Sequence, residues 1–173
     1  MERITHTVEV DVPVTAAYDQ WTQFEEFPRF MEGVEEVVQL GDERLRWKAS
    51  IAGVEREWDS TIVRQEPDEA IAWDGFGGPN NAGMVQFRPL GPERSAVTVT
   101  LEWEPEGVVE KVGDALGIVS GRIEGDLQRF KAFIEERGMP TGGWRGRIEG
   151  GERTDTAGSG TSSGVSGTTA DIG

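Results

Sequence analysis

An amphipathic stripe near the C-terminus is the feature that most constrains the fold. Between residues 108 and 137, apolar side chains recur at spacings of three and four, the period of one face of an α-helix. They are Val109, Val112, Leu116, Val119, Ile123, Leu127, Phe130 and Ile134. At about 1.5 Å per residue such a helix is roughly 40 Å long, enough to span a whole sheet. We therefore predict that the rest of the chain packs against one long helix.

Short alternating segments precede this helix. Residues 3–12 alternate between apolar side chains and Thr, Glu or Asp, as a half-buried strand does. Pro13 ends this strand, and residues 16–24 and 27–31 predict two short helices, the second interrupted by Pro28. Six more strand-like runs follow, at 34–40, 45–51, 54–62, 71–75, 85–87 and 97–103. Hairpin-type turns join almost all of them, which predicts an antiparallel sheet of seven strands.

The amino-acid composition argues against several classes of function. The formal net charge of −15 argues against nucleic-acid binding, which favours a basic surface, and against docking on anionic membranes. With no Cys there is no disulfide and no thiolate nucleophile, and a single His, His6, argues against a His-rich metal site. No apolar run approaches the roughly 20 residues of a spanning helix, and the N-terminus has no signal-peptide pattern. We expect a cytoplasmic protein without stable membrane insertion, metal or cofactor.

The composition changes after the predicted helix, and this divides the chain. Residues 1–137 carry the strands and the helix and are predicted to form one domain. Residues 138–149 open with a Gly- and Pro-rich break and contain Trp144-Arg145-Gly146, so this extension could fold back on the domain. Residues 150–173 are rich in Gly, Ser and Thr and nearly free of apolar side chains, which is typical of a disordered tail.

Five segments of the chain together resemble a known family. They are FPRFMEGV at 27–34, IAW at 71–73, GMVQF at 83–87, TVTL at 98–101 and DLQRFK at 126–131. The set resembles the START-like (SRPBCC) superfamily, in its polyketide cyclase/dehydrase and coenzyme Q-binding branch. The resemblance covers residues 3–137 and implies an α+β helix-grip fold: a seven-stranded curved antiparallel sheet around the long C-terminal helix, with two short helices after the first strand. It also implies a cavity between sheet and helix.

Strand parity supplies the candidate ligand-binding residues of that cavity. The aromatics expected to face inward are Trp47, Trp58, Trp73, Phe87 and Trp103. We expect Phe30, Met31 and Phe76 at the mouth, and Leu116 and Ser120 on the helix. Each aromatic has an alternative role in filling the core. A one-residue error in register would turn these side chains to the other face of the sheet.

Glycines recur every four residues in the predicted helix, at Gly113, Gly117, Gly121 and Gly125. Each costs about 1 kcal/mol relative to Ala in a helix interior. Three explanations stay open: close approach to the sheet or to a ligand, a soft first half of the helix, or packing that tolerates them. Facing the aromatic sheet, these small residues would leave room for a flat apolar molecule.

Few polar residues are expected on the inward face: His6, Arg56, Ser60 and Ser120. His6 is either held by one hydrogen bond or contacts the ligand. Arg56 needs an anionic partner, from a ligand or a glutamate, unless its head reaches solvent. The family resemblance implies that cyclases of this kind use a few polar cavity residues as acid–base groups. Here the catalytic candidates are His6, Arg56 and Tyr18, although they match no family catalytic motif.

Three functions stay open on the sequence. The first is non-catalytic binding of a hydrophobic small molecule, such as a quinone, polyketide or lipid, between the sheet and the helix. The second is a polyketide cyclase/aromatase or dehydratase that uses the polar cavity residues. The third is an interaction or stress-related accessory protein whose cavity is vestigial and whose acidic surface and tail recognise a partner. The sequence specifies neither the ligand nor the oligomeric state.

Overall fold

Strands and helices together make an α+β structure. The computed structural model describes residues 2–51, 53–76, 81–103 and 112–154, without the side chains of Glu2, Ile51, Phe76, Asn81, Trp103 and residues 112–116. The helices are α1 (Val14–Trp21), a 3₁₀ helix (Phe24–Arg29) and α2 (Val112–Arg137). The strands are β1 (Glu2–Val10), β2 (Val34–Gln39), β3 (Arg44–Ile51), β4 (Val54–Glu66), β5 (Ala70–Phe76), β6 (Asn81–Gly91), β7 (Arg94–Trp103), β8 (Ile148–Glu149) and β9 (Glu152–Arg153). Within this described part, no helix is long and apolar enough to cross a membrane.

Seven strands form one antiparallel sheet in the order β1-β7-β6-β5-β4-β3-β2, which confirms the predicted sheet. Consecutive strands from β2 to β7 pair with each other, and β1 pairs with β7. The faces follow the predicted alternation. In β1, Ile4, Val8 and Val10 are buried, whereas Thr5 and Glu9 are exposed.

The strands β4 and β6 exceed their predicted lengths the most. β4 continues to Glu66 and β6 covers Asn81–Gly91. Each contains a shift of register, after Ile62 in β4 and after Pro89 in β6. A bulge lets a strand continue past a residue that breaks the regular ladder, and Pro89 is such a residue. The loop predicted over 76–82 is shorter, because its two ends belong to β5 and β6; residues 77–80 lie outside the described residues.

The core is an aromatic cluster between α2 and the two short helices. Phe130 of α2 is fully buried, and its ring centroid lies 5.3 Å from that of Trp21 and 5.2 Å from that of Phe30. Phe27 meets both Trp21 and Phe30 edge-to-face, an arrangement that aromatic rings favour. Ile134, one turn further along α2, is also fully buried. The predicted stripe therefore faces the sheet over this half of the helix, while its beginning at 108–111 lies outside the described residues.

The segment after α2 returns to the domain. Gly138, with φ +75°, donates its N–H to the carbonyl of Ile134 over 2.9 Å, an αL cap that glycine adopts readily. Further along, β8 pairs with Arg64 and Gln65 of β4. The last β3 residue paired with β4 is Arg44, opposite Thr61, so β8 covers the length of β4 that β3 leaves open. The β8–β9 hairpin extends to Arg153, past residue 150, where the sequence placed the start of the tail; residues 155–173 are not described.

Hydrogen bonds hold this extension to α1. The Gln20 side chain accepts from the N–H of Thr141 and donates to its hydroxyl, over 2.8 and 3.0 Å. The Thr22 hydroxyl accepts from the N–H of Trp144 over 3.0 Å. Gln20 is fully buried, and a buried amide without such partners would be costly. The extension thus satisfies polar groups that α1 buries.

Replacing Phe130 with Ala is expected to lower the free energy of unfolding by about 3–5 kcal/mol, because the surrounding rings cannot fill the space left. The control is Ile118→Ala on the same helix, where the side chain is 48% exposed; we expect a change below about 0.5 kcal/mol. Urea unfolding followed by circular dichroism measures both. Equal losses for the two variants would contradict the packing of α2 described above.

Candidate functional site

The inner face of the sheet, opposite α2, is closed at the end covered by α1 and the 3₁₀ helix. There it encloses a cavity of about 10 Å³. The residues that line it are Trp21, Phe24, Phe27, Leu45, Trp47, Ile62, Ile71, Trp73 and Val85. A single water needs about 10–15 Å³ and polar partners, so this apolar space is dry. The side chains themselves fill the closed end and leave no room for a ligand.

Several residues predicted to bind a ligand belong to this closed end. Phe30 is 1% exposed and lies in the aromatic cluster, so its predicted place at the mouth is wrong: the short helices seal this end of the sheet. Trp47 and Phe87 are also buried, and Phe87 meets Tyr18 edge-to-face at 5.3 Å. Met31 is half-buried against the same cluster. These side chains stabilise the core.

Trp58 and Trp73 are inward aromatics that stay half-buried. Trp58 stacks on Trp47, with the ring planes within 1° of parallel and the centroids 5.8 Å apart. Trp73 lies across the backbone of Gly83, where a β-carbon would come within 2.3 Å of the indole ring. Only glycine allows that approach. Sequence reasoning did not single out Gly83, although a glycine at an inward strand position is typical of close packing.

Half-buried aliphatic side chains complete this second region. Val119 and Ile123 of α2 and Leu101 of β7 are all half-buried. Leu101 pairs with Gly83, which in turn pairs with Trp73, so these three residues form one row across the inner face. We call the region of Trp58, Trp73, Leu101, Val119 and Ile123 the open end. It adjoins the closed end directly, because Trp73 also lines the small cavity there and Trp58 stacks on Trp47. The side chains of Phe76, Trp103 and Leu116, three further predicted ligand contacts, lie outside the described residues.

Two polar pairs lie on the inner face. Trp47 donates from Nε1 to the Ser60 hydroxyl over 2.9 Å, and both residues are buried. His6 of β1 and Ser120 of α2 are joined by a hydrogen bond of 2.8 Å between Nε2 and Oγ. Both of these are half-buried. The structure thus brings together two of the predicted inward polar residues across the sheet–helix interface.

Arg56 does not take part in this site. It pairs with the buried Ala49 in the β3–β4 ladder and shares its side of the sheet, as parity predicted, yet it is exposed. The reason is its place near the tip of the hairpin, where Val54 is also 51% exposed. Of the alternatives left open for Arg56, the structure therefore shows the one in which its head reaches solvent, and it rules out a buried cation that needs a ligand anion. Solvent stabilises its charge, and no ligand anion is needed.

Tyr18 lies at the opposite, closed end. Its side chain is fully buried, and this burial raises its pKa to about 12, while the neighbouring Gln65 amide and Arg145 guanidinium only partly offset the effect. Arg145 of the C-terminal extension lies 5.4 Å from the centre of the Tyr18 ring and forms ion pairs with Asp19 and Asp68. A phenol sealed in this way is a poor acid or base at neutral pH. The three catalytic candidates, Tyr18, His6 and Arg56, are not brought together.

Two of the glycines in α2 face solvent and not the sheet. Gly117 and Gly121 are exposed, and a β-carbon at either would meet nothing within 4 Å. At Gly125 the nearest atoms belong to the Arg129 guanidinium. A spacing of four residues advances about 40° around a helix at each step, so the glycines wind off the buried face. The expectation that they leave room for a ligand opposite the aromatics is wrong for these residues; the side of Gly113 is not described.

Arg122 is a residue of this region that the sequence did not single out. Its guanidinium donates to the backbone carbonyl of Ser50 in β3 over 3.3 Å, and it occupies the space where Gly33 lacks a side chain. Together with the His6–Ser120 contact on the opposite edge of the sheet, it ties the first half of α2 to the domain. No residue pattern marks such a contact, because Arg122 and Ser50 are distant in the chain.

In the part of the chain that the structure describes, no group of three or more His, Cys, Asp or Glu side chains could hold a metal ion. The chemistry available at the open end is therefore an apolar surface of indole and aliphatic groups with one neighbouring His–Ser pair. Such a surface can bind an apolar molecule and offer it a small number of hydrogen bonds.

This combination of fold and site is that of a START-like helix-grip protein. The chain belongs to the polyketide cyclase / dehydrase and lipid transport family, whose model matches residues 10–132. It is also 48% identical over 149 residues to a 17.2 kDa protein of Streptomyces lincolnensis, a match that covers 86% of this chain and 99% of that protein.

Solved structures with the same fold include two from actinobacteria. A START superfamily protein of Mycobacterium smegmatis is 17% identical, with a TM-score of 0.66 over 76% of this chain and 98% of that one. The ZhuI aromatase/cyclase of Streptomyces sp. R1128 is 19% identical, with a TM-score of 0.68 over 83% of this chain and 99% of that one. At these identities the similarity establishes the shared fold.

Titration of Tyr18, the single tyrosine of the chain, tests its burial. We expect tyrosinate absorbance to appear near pH 12 in the folded protein, against an ordinary pKa of 10.0. Because the folded state holds this proton more tightly, its contribution to stability is complete below about pH 10 and decreases by about 1.4 kcal/mol per pH unit above it. In Tyr18→Phe, the part of the stability loss above pH 10 that comes from Tyr18 ionisation should be absent. Tyrosinate absorbance that appears near pH 10 in the folded protein would contradict the burial of Tyr18.

Two Gly→Ala substitutions distinguish a glycine that a side chain covers from a glycine that is open to solvent. Gly83→Ala is expected to lower the free energy of unfolding by about 1–3 kcal/mol, because the added methyl displaces the Trp73 ring. Gly121→Ala is expected to raise it by about 0.5–1 kcal/mol, since Ala favours the helix and the site is open. Urea unfolding gives both values. Stabilisation by Gly83→Ala would show that Trp73 does not lie on this backbone.

Proposed function

We propose that this protein binds a hydrophobic small molecule at the open end, between the sheet and α2, without converting it. The observation that carries this proposal is the difference between the two ends of the inner face. At the closed end the aromatic side chains are buried against each other. Trp58 and Trp73, at the border between the closed end and the open end, keep half-buried rings on an apolar face, and a bound apolar molecule would complete their burial.

The filled core supports a particular mode of binding. With only about 10 Å³ free at the closed end, the ligand would lie across the open end and not deep between the sheet and the two short helices. A flat ring system suits this place best, because the Trp47–Trp58 stack and the Trp73 ring offer planar surfaces. Covering about 200 Å² of apolar surface contributes roughly 5 kcal/mol before the costs of association.

A cyclase is the second candidate function. It is favoured by membership of a family described as polyketide cyclase / dehydrase and lipid transport and by the fold shared with an aromatase/cyclase. Ring closure and dehydration need acid–base groups beside the ligand. Of the three candidates named from the sequence, His6 alone lies at the sheet–helix interface together with a second polar group, Ser120. Tyr18 is sealed and Arg56 exposed, and therefore we favour binding over turnover.

The deciding experiment is native mass spectrometry of the freshly purified protein, followed by organic extraction and identification of any bound molecule. An apolar molecule recovered unchanged after incubation supports binding without turnover. A molecule that the protein converts to a cyclised or dehydrated product would replace this proposal with the cyclase. A neutral apolar dye that fails to bind, together with a ligand-free mass, would contradict both.

We predict that Trp58→Ala weakens binding of a neutral apolar dye such as Nile red by about tenfold or more, since a lost aromatic contact of about 1.5 kcal/mol or more corresponds to that factor. The matched control is Trp144→Ala. Trp144 is also half-buried, but it lies in the C-terminal extension, where Arg153 covers its ring. We expect the control to stay within about twofold. Equal weakening in both variants, measured by fluorescence titration, would place the dye elsewhere.

A further inference from the structure

The inner faces of the sheet and of α2 are largely apolar, and at one place a polar residue of each face meets the other. On β1, His6 occupies an inward position between the buried residues Ile4 and Val8. On α2, Ser120 lies three residues before Ile123 on the stripe that faces the sheet. The two interruptions meet each other, with 2.8 Å between Nε2 of His6 and Oγ of Ser120. An apolar pair at these positions would pack without needing a partner, so packing by itself does not account for them.

The pair keeps unused hydrogen-bonding capacity. A serine hydroxyl has one donor and two acceptor positions, and a neutral imidazole has one donor and one acceptor. Their mutual bond uses one donor and one acceptor, so one donor and two acceptors remain in either tautomer. Among the described residues, neither side chain makes a second hydrogen bond. Both are half-buried, so a molecule at the sheet–helix interface can reach them.

The other polar pair on this face differs in this respect. Ser60 is fully buried, and its hydroxyl accepts from Trp47 within the core. That contact satisfies an indole N–H that would otherwise be buried without a partner, so its role is structural. Within the described part of the chain, the His6–Ser120 pair satisfies no third group.

The pair is next to the open end. In the β1–β7 ladder His6 is opposite Val99, and Leu101, two residues along β7, belongs to the row of Trp73. Two residues along a strand correspond to about 7 Å. Trp73 already reaches over Gly83 of β6, and only β7 separates β6 from β1. A ring system lying over β6 and β7 would contact the indole on one side and the His–Ser pair on the other.

We infer that the His6–Ser120 pair holds a carbonyl or hydroxyl oxygen of the ligand. The molecule is then a flat, apolar ring system with an oxygen substituent at its edge, and not a plain hydrocarbon or an acyl chain. This inference rests on the proposed binding function. The Ser120 hydroxyl donates to a carbonyl oxygen when His6 donates to Ser120, and the pair accepts from a ligand hydroxyl through one of its two remaining acceptors.

The test compares two probes of the same shape, the ketone fluorenone and the hydrocarbon fluorene, by quenching of tryptophan fluorescence. In Ser120→Ala we expect the affinity for fluorenone to decrease about five- to tenfold, the value of one hydrogen bond, and the affinity for fluorene to stay within about twofold. The control is Thr98→Val, which removes one partner of the 2.8 Å Thr7–Thr98 hydroxyl pair on the outer face of β1 and β7, where Thr7 is exposed and Thr98 half-buried. It should leave both affinities unchanged.

The outcomes separate the two proposals. If both probes bind and Ser120→Ala leaves the ratio of their affinities unchanged, the His–Ser pair does not recognise an oxygen, while the binding function stands. If neither probe binds the wild-type protein, the apolar site itself is absent and both proposals are overturned. Ser120→Thr retains the hydroxyl, so recovery of fluorenone binding in this variant supports the assignment, and failure to recover it despite intact fluorene binding argues against it.

Discussion

The packing of Phe130 against Trp21 and Phe30 is the interaction on which the rest of the structure depends. It joins α2 to both short helices at once, with ring centroids within 6 Å of each other. Each element is too short or too poor in helix-forming residues to be stable alone, because isolated helices gain little from propensity. Buried against one another and against the sheet, their rings provide the hydrophobic free energy that fixes the position of the long helix.

Because α2 is fixed at one end by aromatic packing, the two ends of the inner face differ in how completely they are filled. The rings that hold the helix also occupy the space between helix and sheet, which leaves only about 10 Å³ there. Toward the other end the helix is held by two polar contacts, from Ser120 to His6 and from Arg122 to the carbonyl of Ser50. Apolar groups there stay half-buried. The half-buried apolar surface at this end therefore follows from how the closed end is stabilised.

Charge has a structural role in the C-terminal extension. Arg145 lies over the Tyr18 ring and forms ion pairs with two carboxylates, one on α1 and one at the turn after β4. The side chain of Arg145 is 41% exposed, so each pair contributes little by itself. Their combined geometry holds the extension across α1, where backbone hydrogen bonds and β8 complete the contact. The extension keeps Tyr18 out of reach of solvent and of any ligand.

Periodicity in the sequence determined the strands, their order along the chain, their inward faces and the long helix, because alternation and a spacing of three to four follow from backbone geometry. It did not determine how deeply each inward side chain is buried. Arg56 has the parity of an inward residue but lies near a hairpin tip, and Phe30 lies in the core and not at a mouth. The pairing of His6 with Ser120 was equally beyond the sequence. Side chains far apart in the chain meet only when the sheet curves around the helix, and that depends on how all the core side chains pack together.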